Sequence, residues 1–207
     1  MSVKKTIATY DQIAKDYSHR WHDRSVIAPA LDRFSALLAP GATILDAGCG
    51  PGFDCSLLRE RQLRAIGIDL SGGMLQIARD RYPGPYVQAD MRRLPLCSGV
   101  AGIWCNAALL HLSRPDARQV LREFRRVLAP GGVLFLAVKE GRGEMQRSET
   151  YGSDAPRYFT YWRADRLDLA LRESDFRILE SWVDAGARQR WLCRLARKPS
   201  RDNDLLT

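Results

Sequence analysis

Three aspartates and three glycines carry the most legible chemistry in this chain. The string LDAGCGPG, residues 45–52, sets Asp46 at the end of an apolar run and then spaces Gly48, Gly50 and Gly52 two apart. Glycine adopts backbone angles closed to other residues and lets a ligand lie against bare main chain. The run RAIGIDLS carries Asp69, and PYVQAD ends in Asp90 followed by Met91. A carboxylate after the second strand of a nucleotide-binding half accepts hydrogen bonds from vicinal ribose hydroxyls. Each aspartate alone also reads as a turn former or helix cap; three at successive strand ends favour an adenosine site. Two other ligands are excluded by spacing. A dinucleotide fingerprint wants its third glycine where Phe53 stands, and a phosphate-gripping loop needs a Lys-Ser or Lys-Thr pair that does not follow.

These residues need strands that end together and helices that leave them. Thr43, Ile44 and Leu45 form a short apolar strand before the helix-compatible FDCSLLRERQ. Ser71 is placed to cap a helix over SGGMLQIARDR, where Leu75 and Ala78 follow helical spacing. VAGIWCN reads as a fourth strand. The spacing predicts a helix from about Asp116 to Leu128, with Val120, Leu121, Phe124, Val127 and Leu128 on one face and Arg118, Arg122, Arg125 and Arg126 largely on the other. LAPGG stops it, because proline cannot continue the ladder and glycine permits the reversal. VLFLAV is a continuous apolar run, as expected of a strand covered on both faces. A loop, a helix over YWRADRLDLALRESDF and two strands, RILESWV and RQRWLCRLAR, complete the chain; the last two pair antiparallel through Asp184, Ala185, Gly186 and Ala187.

The glycine loop resembles motif I of the class I S-adenosylmethionine-dependent methyltransferases, and the resemblance covers about residues 40–197. It implies an α/β fold, a Rossmann-like seven-stranded sheet of order 3-2-1-4-5-7-6 with the last strand antiparallel, helices on both faces and an N-terminal helical lid. On that pattern residues 1–207 form one methyltransferase domain, with a lid over 1–40, a core over 41–197 and a flexible tail over 198–207. YDQIAKDYSHRW resembles the lid helix of the small ubiquinone-biosynthesis-like group, of methyltransferase domain 11/25 type. Tyr10, Ile13, Ala14 and Tyr17 share a helical face that either covers the cofactor or packs a core.

The implied cofactor is S-adenosylmethionine, with S-adenosylhomocysteine as product. The resemblance assigns its contacts to Asp46, Gly48, Gly50 and Gly52 in the loop, to Asp69, Leu70 and Met74 after the second strand, and to Asp90 and Met91 at the adenine. Asn106 and Ala107 line the methionine moiety through main chain, Tyr10 and Tyr17 cover it, and Arg20 reaches its carboxylate. Around the acceptor it assigns His111 as the catalytic group, a proton acceptor near neutral pKa or a hydrogen-bonding residue that orders the lid. Trp21 closes the pocket and Lys139 ends the fifth strand at the same edge. Tyr158, Phe159, Tyr161 and Trp162 form an aromatic cluster, with Tyr158 and Tyr161 toward substrate and Phe159 and Trp162 packing the next helix.

Composition fits one α/β domain: 207 residues with 45% hydrophobic content and no apolar stretch of membrane-spanning length. MSVKKTIATYDQ lacks the apolar core of a signal peptide, and the five cysteines form no C-x-x-C pair, so the expectation is a reduced, cytoplasmic enzyme. His19 and His22 have no thiol or carboxylate cluster beside them, so no metal is expected. The net charge of +8 comes mainly from arginines scattered along helix faces, which fits solvated surfaces better than a nucleic-acid site, although an RNA acceptor stays open. A sulfonium methyl is already electrophilic, so the protein mainly aligns acceptor and donor and excludes water. The expected function is methyl transfer to a small molecule at oxygen or nitrogen by a monomer or homodimer. A tRNA or peptide acceptor and a non-catalytic cofactor-binding protein are the alternatives.

Overall fold

The computed structural model describes residues 3–147, 157–185 and 189–200. The apolar runs form strands β1 (Thr43–Ala47), β2 (Arg64–Asp69), β3 (Tyr86–Gln88), β4 (Val100–Asn106) and β5 (Leu128–Lys139). A hairpin of β6 (Glu144–Arg147) and β7 (Arg157–Thr160) follows, and β8 (Arg177–Ala185) and β9 (Arg190–Arg197) close the chain. Helices α1 (Val3–Arg20), α2 (Ala28–Ser35), α3 (Phe53–Glu60), α4 (Gly72–Arg81), α5 (Arg114–Val127) and α6 (Ala164–Glu173) connect or flank them.

Seven strands make one sheet of order β3-β2-β1-β4-β5-β9-β8. With β8 and β9 as its sixth and seventh members, this is the expected order. β9 runs antiparallel to both β5 and β8, and the first five strands are parallel. The order reverses at β1, which pairs with β2 on one side and β4 on the other. Parallel sheets open a crevice at such a switch point, beyond the carboxyl ends of the strands.

Strand alternation divides the core into two layers. Leu45, Ala47, Ile103, Cys105, Leu134 and Leu136 pack with α5 and α6, whereas Ile44, Trp104, Val133 and Phe135 pack with α2, α3 and α4. Helix α5 buries Ala117, Val120, Leu121, Phe124 and Val127. Each of the larger side chains contributes about 1.5–3 kcal/mol by leaving water. The helix begins two residues earlier than its apolar spacing suggests, because Ser113 Oγ accepts the Asp116 N–H at 3.3 Å and caps it. At its other end Gly131 takes φ +75° and the β4–β5 ladder passes from Leu128 to Val133, so the LAPGG reversal lies within β5.

Two local readings change. The segment after β5, read as a loop, contains the β6–β7 hairpin, in which Glu144 pairs with Thr160 and Met145 with Phe159. Four-residue strands carry too little periodicity to be seen. Lys198, read as the start of a loose tail, is bound to the sheet, with its N–H donating to Gly132 O at 2.9 Å and its ammonium to Leu128 O at 2.6 Å. Gly186 and Ala187, half of the expected β8–β9 link, lie outside the described residues, as do residues 201–207.

Candidate active site

A cavity of about 140 Å³ lies over the carboxyl ends of β1, β2 and β4, with α1 along its length. The glycine loop forms its floor. Gly50 takes φ +52°, lines the cavity and has open space where a Cβ would project. Gly52, at φ +84°, is a packing position instead, since a Cβ there would stand 2.8 Å from Tyr86 Oη, and it does not line the cavity. Gly48, Leu70, Met74, Met91, Asn106 and Ala107 also line it.

Asp69, at the end of β2, lines the cavity and is fixed by two main-chain donors. Its Oδ2 accepts the Gly50 N–H at 2.9 Å and its Oδ1 accepts the Ser71 N–H at 2.8 Å. Burial nonetheless raises its pKa. A carboxylate accepts about four hydrogen bonds, so a vicinal diol fits the remaining capacity. Asp90 lines the next part of the wall and is held by Arg92, whose Nη2 donates to Oδ2 at 2.7 Å. Burial opposes the Asp90 charge, but the Arg92 hydrogen bonds outweigh it and lower the pKa.

Asp46 does not line the cavity. Alternation along β1 turns it to the same layer as Ile44, under α3, where it is 2% exposed and accepts the Cys55 thiol at 3.1 Å. Burial, with Asp54 nearby, raises its pKa well above the usual carboxylate range. It therefore acts on the loop from beneath.

The acidic group that reaches the cavity from α3 is Asp54, which the sequence reading missed. Its Oδ2 accepts Trp104 Nε1–H at 2.8 Å and Asn106 Nδ2–H at 3.0 Å, and its Oδ1 accepts Arg24 Nε–H at 2.8 Å. Arg24 lines the cavity next to it, with Nη2 2.6 Å from Oδ1. Burial would lower the arginine pKa, but the Asp54 charge outweighs it. Arg20, the expected carboxylate partner, is exposed at the end of α1 and does not line the cavity; nor does Trp21, which is 45% exposed. The two arginines are four positions apart, and only the turn after α1 decides between them.

Helix α1 is docked by its polar residues. Asp11 Oδ1 accepts Ser71 Oγ–H at 2.6 Å and Gly73 N–H at 3.0 Å, tying α1 to the start of α4. Thr6 Oγ1 accepts the Tyr158 N–H at 3.1 Å. Tyr10 and Tyr17 both line the cavity, edge to face at 5.7 Å.

His111 lines the cavity opposite Tyr10. Its Nδ1 lies 2.8 Å from the Tyr158 carbonyl, which can only accept, so Nδ1 carries the proton. Its Nε2 therefore accepts from Tyr10 Oη–H at 2.7 Å, and Tyr10 Oη accepts Arg157 Nη1–H at 3.1 Å. Burial lowers the His111 pKa to about 3, and the charges of Arg157 and Lys139 add to the shift. The imidazole is thus neutral at physiological pH, and the expected near-neutral pKa is not what this environment gives. Lys139 stands behind this wall with its ammonium 4.1 Å from the Phe159 ring, and does not line the cavity. Tyr158 binds Glu144 through its hydroxyl and contributes main chain to the site. Tyr161 is 6% exposed and joins Phe159 and Trp162 in the core.

Residues 44–132 match the family model described as a methyltransferase domain. Over that stretch the chain is similar to S-adenosylmethionine-dependent methyltransferases. Among curated proteins, the trans-aconitate 2-methyltransferase of Azoarcus sp. (strain BH72) is 38% identical over 135 residues, 60% of this chain and 53% of that protein. The malonyl-[acyl-carrier protein] O-methyltransferase of Serratia marcescens is 37% identical over 99 residues, 47% of this chain and 38% of that protein. The chain thus spans about half or less of the length of these relatives. The fold is shared with the 1,6-didemethyltoxoflavin-N1-methyltransferase of Burkholderia thailandensis, solved with 1,6-didemethyltoxoflavin and S-adenosylhomocysteine. Its TM-score is 0.75 at 22% identity, over 94% of this chain and 88% of that one.

Proposed function

We propose that this methyltransferase moves a methyl group from S-adenosylmethionine to oxygen or nitrogen of a small-molecule acceptor. The observation that carries the reading is Asp69, a half-buried carboxylate oriented by Gly50 and Ser71 main chain and facing a cavity floored by glycine. Asp69 receives the ribose hydroxyls, while Leu70 and Met74 flank the adenosine and Asp90 with the Met91 N–H meets the adenine. Gly48, Gly50, Asn106 and Ala107 bound the methionine moiety, Tyr17 covers it, and Arg24 receives its carboxylate. The cofactor when bound supplies an electrophilic methyl on a cationic sulfur. The chain's own residues orient the acceptor and keep water out, with α1 closing the cavity.

A small acceptor also suits the arginine surface. Arg61 pairs with Asp32, Arg118 with Glu173, Arg125 with Asp175 and Arg163 with Asp165, so much of the positive charge is locally matched. Calorimetric titration with S-adenosylhomocysteine tests the reading. Asp69→Ala should weaken binding by about 1–3 kcal/mol through lost charged hydrogen bonds; unchanged affinity removes Asp69 from the ribose role.

A further inference from the structure

Asp54 joins α3, the end of β4 and the turn after α1 at the wall of the cavity. Its carboxylate collects four N–H donors: Trp104 Nε1 at 2.8 Å, Asn106 Nδ2 at 3.0 Å, and Arg24 through Nε at 2.8 Å and Nη2 at 2.6 Å. Four bonds fill a carboxylate, so Asp54 has no capacity left for a ligand and acts through the groups it holds. Arg24 and Asn106 line the cavity beside it, with Gly48 and Gly50. The grip on Arg24 uses one edge of the guanidinium and leaves Nη1 outside the pair. Asn106 is oriented as strictly. A carboxylate paired with arginine only accepts, so the carboxamide atom facing Asp54 is Nδ2, and Oδ1 is left on the far side. Among the described residues no group donates to Asn106 Oδ1.

We infer that Asp54 is a positioning residue for the amino-acid end of the methyl donor, and that Asn106 Oδ1 accepts the ammonium group there. Asp54 holds the guanidinium with Nη1 toward the ligand carboxylate, and it holds the carboxamide with its oxygen toward the ammonium. With the carboxamide reversed, donor would meet donor. The inference rests on the methyl-donor reading above and adds a side-chain contact at Asn106 to the main-chain ones.

Three ligands separate the parts: S-adenosylhomocysteine, the same molecule with hydrogen in place of its amino group, and 5′-methylthioadenosine, which lacks the amino-acid end. Each is titrated by calorimetry at pH 7. The wild type should prefer S-adenosylhomocysteine to the deaminated ligand by about tenfold or more, the value of a charged hydrogen bond. Asn106→Leu, which keeps the side-chain shape and the main chain, should cut that preference by about fivefold or more and leave 5′-methylthioadenosine within about twofold. Asp54→Asn should do the same, because its amide N–H takes Asn106 Oδ1 and turns Nδ2 to the ligand. Both acids carry the carboxylate, so a change at Arg24 cancels in the comparison. Should Asp54→Asn not fold, NMR of the wild type decides: the Asn106 side-chain amide protons should show cross-relaxation with the Trp104 indole N–H, which binds the same Asp54 oxygen. A wild type indifferent to the amino group, a preference that survives Asn106→Leu, equal weakening of all three ligands by Asp54→Asn, or no such cross-relaxation would each overturn the inference. Failure of S-adenosylhomocysteine and 5′-methylthioadenosine to bind the wild type would instead strike the methyl-donor reading.

Discussion

His111 makes the stability of this protein depend on pH in a way that isolates one side chain. Its pKa falls from 6.5 to about 3 on folding, chiefly through burial. Below pH 6.5 the unfolded chain takes up a proton that the folded chain refuses, so stability is full above 6.5 and is lost as pH falls toward 3. The whole effect is about 5 kcal/mol, and the part falling between pH 7 and pH 5 is about 2 kcal/mol. Asp46 and Asp69 work in the other direction, because their raised pKa values favour the folded state as pH falls. A comparison with His111→Gln cancels those contributions, and glutamine can still donate to the Tyr158 carbonyl and accept from Tyr10. Urea unfolding of both proteins at pH 7, 6 and 5 should show the wild type losing about 2 kcal/mol more than the variant. Parallel losses would mean that His111 is not held neutral by its surroundings, and the tautomer argument would fall with it.

Other perturbations separate binding from folding. Gly50→Ala should cost about 1–2 kcal/mol for its left-handed backbone, and its methyl, projecting where space is open, should reduce S-adenosylhomocysteine affinity in calorimetry. Gly52→Ala carries the same strain plus a clash with Tyr86 Oη; its thermal unfolding midpoint should fall further than that of Gly50→Ala, and its loss of affinity should be no greater than its loss of stability explains. Arg24→Gln removes the guanidinium from a buried carboxylate that two other groups still satisfy, and should cost about 1–3 kcal/mol in urea unfolding. It should also weaken S-adenosylhomocysteine more than adenosine, which lacks the amino-acid carboxylate; equal weakening would argue against Arg24 as the carboxylate partner.

Much of this architecture could be read from the residues because it is set by local chemistry. Glycine spacing, aspartates ending apolar runs and the amphipathic α5 are all short-range signals, whereas the sheet order is implied only by the family resemblance. The misses share a different cause. Asp46 and Asp69 look alike in sequence, but the pleat of β1 sends one under α3 while the end of β2 brings the other to the cavity. Arg20 and Arg24 differ only in the turn that follows α1, and that turn is selected by Asp54, 30 residues away. The environment of His111 depends on Arg157 and on the Tyr158 carbonyl, both brought in by a hairpin whose strands are too short to announce themselves. Long-range partners set pKa values and tautomers, and no local pattern encodes them.

The most direct test of the central claim is a crystal structure of this protein with S-adenosylhomocysteine. The account predicts ribose hydroxyls within hydrogen-bond distance of the Asp69 carboxylate, the adenine beside Asp90 and Met91, and the amino-acid carboxylate at Arg24. A ligand seated elsewhere, with Asp69 still bound only to Gly50 and Ser71, would contradict it.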